Sequence, residues 1–243
     1  MSDWIYPYKI AHRGAGLLAP ENTLAAFKLG ASHGYRMFEC DVKLSNDGVP
    51  FLLHDDTLDR TTNGCGVAGQ LDWAALQKLD AGSWHSAAYA AEPLPSLETI
   101  ANFCIANDLD LNIEIKPTTG FEKITGKVVA EYAARLWHGK TRKPLLSSFQ
   151  PDTLQAALEA APELPRGALL SKLWPVWLET SLRLRCHAVI FEQDLWDASS
   201  MALAKGAGFK TLSFTVNDEQ QVQRLEALGI DGIITDRVDV FKP

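Results

Sequence analysis

The sequence predicts an α/β fold: a closed (β/α)8 TIM barrel with a small insertion after the second strand. Three observations predict it. Short apolar runs alternate with longer helical patterns from one end of the chain to the other. Eight of those runs read as strands, at 9–12, 37–44, 109–116, 145–149, 167–170, 188–192, 211–216 and 232–235. The length, 243 residues, suits a single barrel.

Most of the strand candidates are nearly unbroken apolar runs, as parallel strands covered on both faces require. Helices are expected between them, at 24–33, 97–107, 125–137, 151–161, 174–185, 197–207 and 218–228. Asn22 or Thr23 stands ready to cap the first. Leu97, Ile100, Ala101, Cys104 and Ile105 recur at the spacing of one helix face in the second. Pro151 or Asp152 opens the fourth, and Gly229 supplies a stop for the last. No Gly-x-Gly-x-x-Gly follows the first strand, which removes the main support for a dinucleotide-binding sheet.

The chain reads as one domain, residues 1–243, with an insertion at about 45–95. The insertion opens on a hairpin signal, Ser45-Asn46-Asp47-Gly48, with a return strand at 49–53. It runs on through a turn-rich stretch and a short helix at 71–79 to Glu92-Pro93-Leu94-Pro95. In a barrel it lies on the βα side, where loops build the site.

Composition narrows the function. Apolar residues make up 47% and charged residues 22%, which excludes disorder as the dominant state. A net charge of −7 argues against broad binding of nucleic acid or anionic membrane. It leaves room for an anionic small molecule met by local cations. No apolar run approaches the ~20 residues that cross a bilayer, and the first seven residues show neither the basic start nor the apolar stretch of a secretory leader. No membrane anchor and a cytoplasmic location are expected; assembly as a homo-oligomer stays open. Cys40, Cys65, Cys104 and Cys186 are scattered without metal-binding spacing and fit reduced thiols, read as small buried hydrophobes.

The chemistry is expected at strand ends. The first strand ends in Ala11-His12-Arg13-Gly14, the second carries Glu39-Cys40-Asp41, and the third carries Glu114-Ile115-Lys116. Alternation puts Glu39 with Asp41 on one face, and Glu114 with Lys116 on one face. If these faces point inward, three carboxylates meet at one mouth and repel unless a cation or a proton intervenes. An all-oxygen set selects a hard divalent ion, Mg²⁺ or Ca²⁺, over zinc. The plainer alternative is separate charges paired with nearby bases. A tight turn at 46–48 brings His54 back alongside residues 40 and 41, so His12 and His54 could serve as acid and base. Arg13 and Lys116 add cations suited to a phosphate, although Lys116 could equally bridge Glu39, Asp41 or Glu114. Together these residues suggest phosphoryl chemistry. Two readings from other classes stand beside it, a Schiff-base aldolase on Lys116 and a barrel that only binds.

Ala11-His12-Arg13-Gly14, Pro20-Glu21-Asn22-Thr23, Glu39-Cys40-Asp41-Val42, Asp47-Gly48-Val49-Pro50, His54-Asp55-Asp56-Thr57-Leu58-Asp59-Arg60-Thr61-Thr62 and Asn112-Ile113-Glu114-Ile115-Lys116 closely resemble the glycerophosphodiester phosphodiesterase family. Thr215-Val216-Asn217 and Thr235-Asp236 resemble its later strand signatures, and the short form resembles the bacterial cytosolic one. The resemblance implies hydrolysis of glycerophosphodiesters, such as glycerophosphocholine and glycerophosphoethanolamine, to glycerol 3-phosphate and an alcohol. It implies His12 and His54 as the acid–base pair; the resemblance does not assign the order, and His12 is expected to act as the first base. It implies Glu39, Asp41 and Glu114 as ligands of one cation, and Arg13 and Lys116 as phosphate contacts. Many members carry Trp before Thr-Val-Asn where this chain has Phe214, a position expected to line the substrate pocket. A lysophospholipid-cleaving enzyme of the same barrel type is the nearest alternative.

Overall fold

The computed structural model describes residues 5–243; residues 1–4, which open the stretch read for a leader, lie outside the described residues. Eight parallel strands close into a barrel in the order β1 (Lys9–Ala11), β2 (Met37–Leu44), β4 (Asp110–Ile115), β5 (Leu145–Ser148), β6 (Arg166–Leu170), β7 (Ala188–Glu192), β8 (Lys210–Phe214) and β9 (Gly232–Thr235), with β9 returning to β1. The remaining strand, β3 (Pro50–Leu52), is the return arm of the hairpin and pairs antiparallel with the end of β2, from Val42↔Leu52 to Leu44↔Pro50. The closure is uneven. β2 and β4 share a register of six residue pairs, from Met37↔Asp110 to Val42↔Ile115, whereas β1 meets β2 through Ala11↔Phe38 alone.

Among the described residues, seven helices cover the barrel: α1 (Leu24–Ser32), α3 (Leu97–Ala106), α4 (Glu122–Leu136), α5 (Pro151–Ala160), α6 (Trp177–Arg183), α7 (Ala198–Gly206) and α8 (Glu219–Leu228). A single turn, α2 (Trp73–Leu76), lies in the insertion and is shorter than the stretch expected there. Thr23, not Asn22, caps α1, accepting from the Ala26 N–H. α6 is also shorter than its pattern suggested: it starts three residues later, at Trp177, and ends at Arg183, before Arg185 takes a left-handed conformation (φ +51°). Gly229 ends α8 at φ +80°, as a left-handed cap should.

The inward face of the strands changes character from bottom to mouth. Ile10, Met37, Leu145, Leu169, Ile190, Leu212 and Ile234 fill the lower interior with apolar side chains. One alternation further along, the same faces carry His12, Glu39 with Asp41, and Asp236. Outward residues of β2 and β4, such as Phe38, Val42, Leu111 and Ile113, pack beneath the helices. Phe191 stacks on Trp196 at 4.2 Å on the opposite side. The insertion has a core of its own around Phe51, Leu53, Leu58, Leu76 and Leu94, with Trp73 tilted against Phe51 at 6.2 Å. Cys40 and Cys104 are buried, but Cys65 is exposed, contrary to its reading as a small core residue.

The loop from β1 to α1 lies flat on the end of β9. Gly16 takes φ +56°, and a Cβ added there would sit 2.0 Å from the Asp236 carbonyl oxygen. No other residue fits that approach. Gly16→Ala is therefore expected to destabilise the protein by about 1–3 kcal/mol, read as a lowered thermal midpoint. Leu17→Ala, one position on and mostly exposed, is expected to leave the midpoint in place.

Candidate active site

Glu39 and Asp41 come from β2 and Glu114 from β4, where the register sets Asp41 opposite Glu114. One carboxylate oxygen of each lies within 4.8 Å of the other two, and all three side chains are buried. Burial, and then repulsion from Asp41, pushes the Glu39 carboxyl up to about 8. The same two causes raise Glu114. Burial acts on Asp41 too, but the charges of Arg13 and Lys116 outweigh it and hold its carboxyl below the usual range. Glu39 Oε1 is buried and has no hydrogen-bond partner among the described residues. An orphaned oxygen beside two further carboxylates fits a hard divalent cation, which Glu39, Asp41 and Glu114 could hold together.

Arg13 stands at φ +51°, which turns its backbone N–H toward Glu39 Oε2 at 3.1 Å. Its Nε lies 3.3 Å from Asp41 Oδ2, and its Nη1 donates to Glu21 Oε1 at 2.9 Å. Lys116 Nζ lies 3.1 Å from Glu114 Oε1 and 3.7 Å from Asp41 Oδ1. Burial works against its charge, yet Glu114 and Asp41 raise its pKa, so the amine stays protonated. Both cations are thus paired with carboxylates and aimed at the same mouth.

The histidines arrive by different routes. His12 extends β1, with its backbone N–H donating to the Thr235 carbonyl at 3.0 Å. His54 follows Leu53, whose N–H donates to the Asp41 carbonyl at 3.1 Å, so the hairpin register sets it beside the carboxylates. Each ring is held through Nδ1 by an aspartate. Asp236 Oδ1 lies 2.6 Å from His12, and Asp55 Oδ1 lies 2.6 Å from His54. The other nitrogen of His12, Nε2, lies 3.7 Å from Glu39 Oε2. Burial disfavours the charged form of His12, but the bond to Asp236 and the charge of Glu39 prevail and raise its pKa. Burial dominates at His54 and lowers it.

Phe214 closes the apolar side. It ends β8 and meets Phe149 edge to face at 5.5 Å, while Lys116 Nζ stands 5.8 Å from the Phe149 ring centroid. A cavity of about 290 Å³ opens here between His54, Glu114, Lys116, Phe149, Gln150 and Lys43. A larger cleft of about 630 Å³ lies at the other end of the barrel, around Arg166 and His187, away from these residues.

All eight residues singled out by sequence stand at this end of the barrel. Several that serve them were not singled out. Asp236 is held in turn by Asn217, whose Nδ2 donates to Asp236 Oδ2 at 2.8 Å and whose Oδ1 accepts from the Asp236 N–H at 2.9 Å. Asn22, at φ +59°, clasps Asp41 at both ends: Nδ2 donates to Oδ2 at 2.8 Å, and Oδ1 accepts from the Asp41 N–H at 3.1 Å. Asp55, Glu21, Arg60 and Phe149 complete the set. The sequence offered only indirect signals for these: alternation puts Asp236 on the inward face, though not beside His12, and Asp55 adjoins His54.

The chain has counterparts among known proteins. The model of the glycerophosphoryl diester phosphodiesterase family matches residues 12–240. A glycerophosphodiester phosphodiesterase of Caldanaerobacter subterraneus is 33% identical over 235 residues, covering 93% of each chain. A phosphodiesterase of Oleispira antarctica, solved in complex with its product sn-glycerol-3-phosphate, superposes with a TM-score of 0.88 at 35% identity, over 95% of this chain and 93% of that one. The glycerophosphodiester phosphodiesterase of Agrobacterium tumefaciens superposes with a TM-score of 0.80 at 28% identity, over 97% and 98%. The likeness runs from the first histidine of the mouth to the turn beyond the last strand, and on that ground the chain belongs to the glycerophosphoryl diester phosphodiesterase family.

Proposed function

We propose that this chain hydrolyses glycerophosphodiesters, glycerophosphocholine and glycerophosphoethanolamine among them, to sn-glycerol 3-phosphate and an alcohol, using one divalent cation and two histidines. The observation that carries the reading is the meeting of three buried carboxylates with two aspartate-held histidines at one barrel mouth. The Oleispira relative, with sn-glycerol-3-phosphate as its product, supports the substrate class. Barrel and insertion act as one domain in this reading, because His12 comes from the one and His54 from the other.

Glu39, Asp41 and Glu114 would hold Mg²⁺ or Ca²⁺, the ions an all-oxygen set prefers. When bound, the cation supplies positive charge against the phosphate and lets all three carboxylates ionise. Arg13 and Lys116 flank the phosphate oxygens and offset their negative charge from the sides. The attacking oxygen, from water or from the glycerol 2-hydroxyl, loses its proton to one histidine as it bonds to phosphorus; attack by the 2-hydroxyl gives a cyclic phosphate, which a water molecule then opens to glycerol 3-phosphate. The other histidine gives a proton to the alcohol oxygen as its bond to phosphorus breaks. Asp236 and Asp55 fix both rings through Nδ1, which leaves Nε2 for these transfers. Phe214 and Phe149 give the carbon side of the substrate an apolar wall. The aldolase reading loses support because Lys116 is held in its charged form, whereas a Schiff-base lysine must become a neutral amine.

Two results are expected. Chelation abolishes release of glycerol 3-phosphate from glycerophosphocholine in a coupled assay, and Mg²⁺ or Ca²⁺ restores it in the wild type but not in Glu39→Gln. The added cation also raises the thermal midpoint of the wild type alone, because an ion that binds the folded state stabilises it. Turnover that survives both chelation and Glu39→Gln overturns the cation's part. His12→Ala and His54→Ala each lose about 10²–10⁴-fold in kcat while keeping the cation-induced rise in midpoint. A near-normal kcat in either variant removes that histidine from the reaction.

A further inference from the structure

Arg60 lies in the insertion with its side chain 44% exposed, where a long cationic side chain is ordinarily free to move. Here it is held on two sides. Its Nε and Nη2 donate to Asp55 at 2.7 and 3.0 Å, and its Nη1 and Nη2 donate to Glu21 at 2.8 and 2.8 Å. The planar fork of the guanidinium thus spans two carboxylates at once, which the point charge of a lysine cannot do.

Each carboxylate then holds a different residue of the site. Glu21, in the loop from β1 to α1, accepts from Arg13 Nη1 at 2.9 Å. Asp55, in the insertion, holds His54 Nδ1 at 2.6 Å. Arg13 also reaches Asp41, with Nε 3.3 Å from Oδ2. The result is a continuous chain of alternating charge, Asp41–Arg13–Glu21–Arg60–Asp55, that starts on the barrel and ends on the insertion against the His54 ring. Without the Arg60 guanidinium, Glu21 keeps Arg13 and Asp55 keeps His54, but the two carboxylates lose the positive charge set between them.

We propose that Arg60 is a positioning residue shared by Arg13 and His54, fixing the phosphate-side cation relative to the second histidine while touching no substrate itself. The inference rests on the roles given above to Arg13 and His54. It requires that removal of one half-exposed side chain disturb two separate kinetic quantities: kcat through His54 and KM through Arg13.

The test compares Arg60→Met, Arg60→Lys, Glu21→Gln, Asp55→Asn, the Arg60→Met double variants with each of the last two, and His54→Ala, all assayed with glycerophosphocholine at saturating cation. Arg60→Met is expected to lower kcat by about tenfold or more and to raise KM severalfold. Asp55→Asn is expected to move kcat alone, and Glu21→Gln chiefly KM. Neither should add its full effect to Arg60→Met, because the three act as one unit. Arg60→Lys should recover only part of the loss, and should it alone melt like the wild type, its kcat and KM decide the matter. In Arg60→Met the ¹⁵N resonances of the His54 ring are expected to shift, a change that a general loss of stability does not produce below the melting transition. Wild-type kcat and KM in a folded Arg60 variant, or full additivity in the double variants, overturns the proposal. If His54→Ala is inactive in the same series, that failure concerns Arg60 alone; if His54→Ala also turns over normally, the reading of the site fails with it.

Discussion

The structure depends on holding three carboxylates together out of water. Glu39, Asp41 and Glu114 are buried within reach of one another, an arrangement that like charges in a low-dielectric setting resist. Much of the surrounding structure answers that constraint. Arg13 and Lys116 lean on Asp41, and the Arg13 backbone N–H and both ends of the Asn22 amide are turned toward the cluster. The backbone accepts two left-handed residues, Arg13 and Asn22, to make those contacts. Conformations of that kind in non-glycine residues are costly and concentrate where a site requires them. The apolar filling of the lower barrel is the counterpart: packing there stabilises a frame whose mouth is kept under electrostatic load.

The second organising feature is the pairing of each histidine with an aspartate. Imidazole has two nitrogens, and tying down Nδ1 decides which one faces the mouth. At His12 the tie comes from the far end of the chain, since β9 closes the barrel against β1 and delivers Asp236. At His54 it comes from the next residue, Asp55, which depends in turn on Arg60. One histidine is therefore oriented by barrel closure and the other by the insertion, so the fold and its appendage both contribute to one site.

Much of this was legible in the sequence, because barrel strands are continuous apolar runs and their inward faces follow a period of two. The convergence of Glu39, Asp41 and Glu114 followed from alternation once a barrel was assumed, and the place of His54 followed from hairpin register. The supporting bonds were less legible. Asp236 reaches His12 across the whole chain, and Arg60 reaches Glu21 between loops, contacts that leave no periodic trace. Asn22 looked like a helix cap, since its residue type serves that purpose well. Thr23 took the cap, and Asn22 was freed for Asp41. The C-terminal end of α6 lies just before the left-handed Arg185, a conformation that composition does not reveal.

The uneven closure of the barrel gives these same residues a mechanical part. β1 joins β2 through one register pair, while β2 and β4 share six. The backbone ladder is thinnest along the seam where Arg13 faces Glu39 and Asp41. Side chains take over the stitching there: the Arg13 N–H to Glu39, the Arg13 guanidinium to Asp41, and Asn22 across to the Asp41 backbone. The groups that would grip a cation are thus also the rivets of the joint. Opening of this seam would part Arg13 from Glu39 and Asp41, so the joint and the carboxylate cluster come apart together.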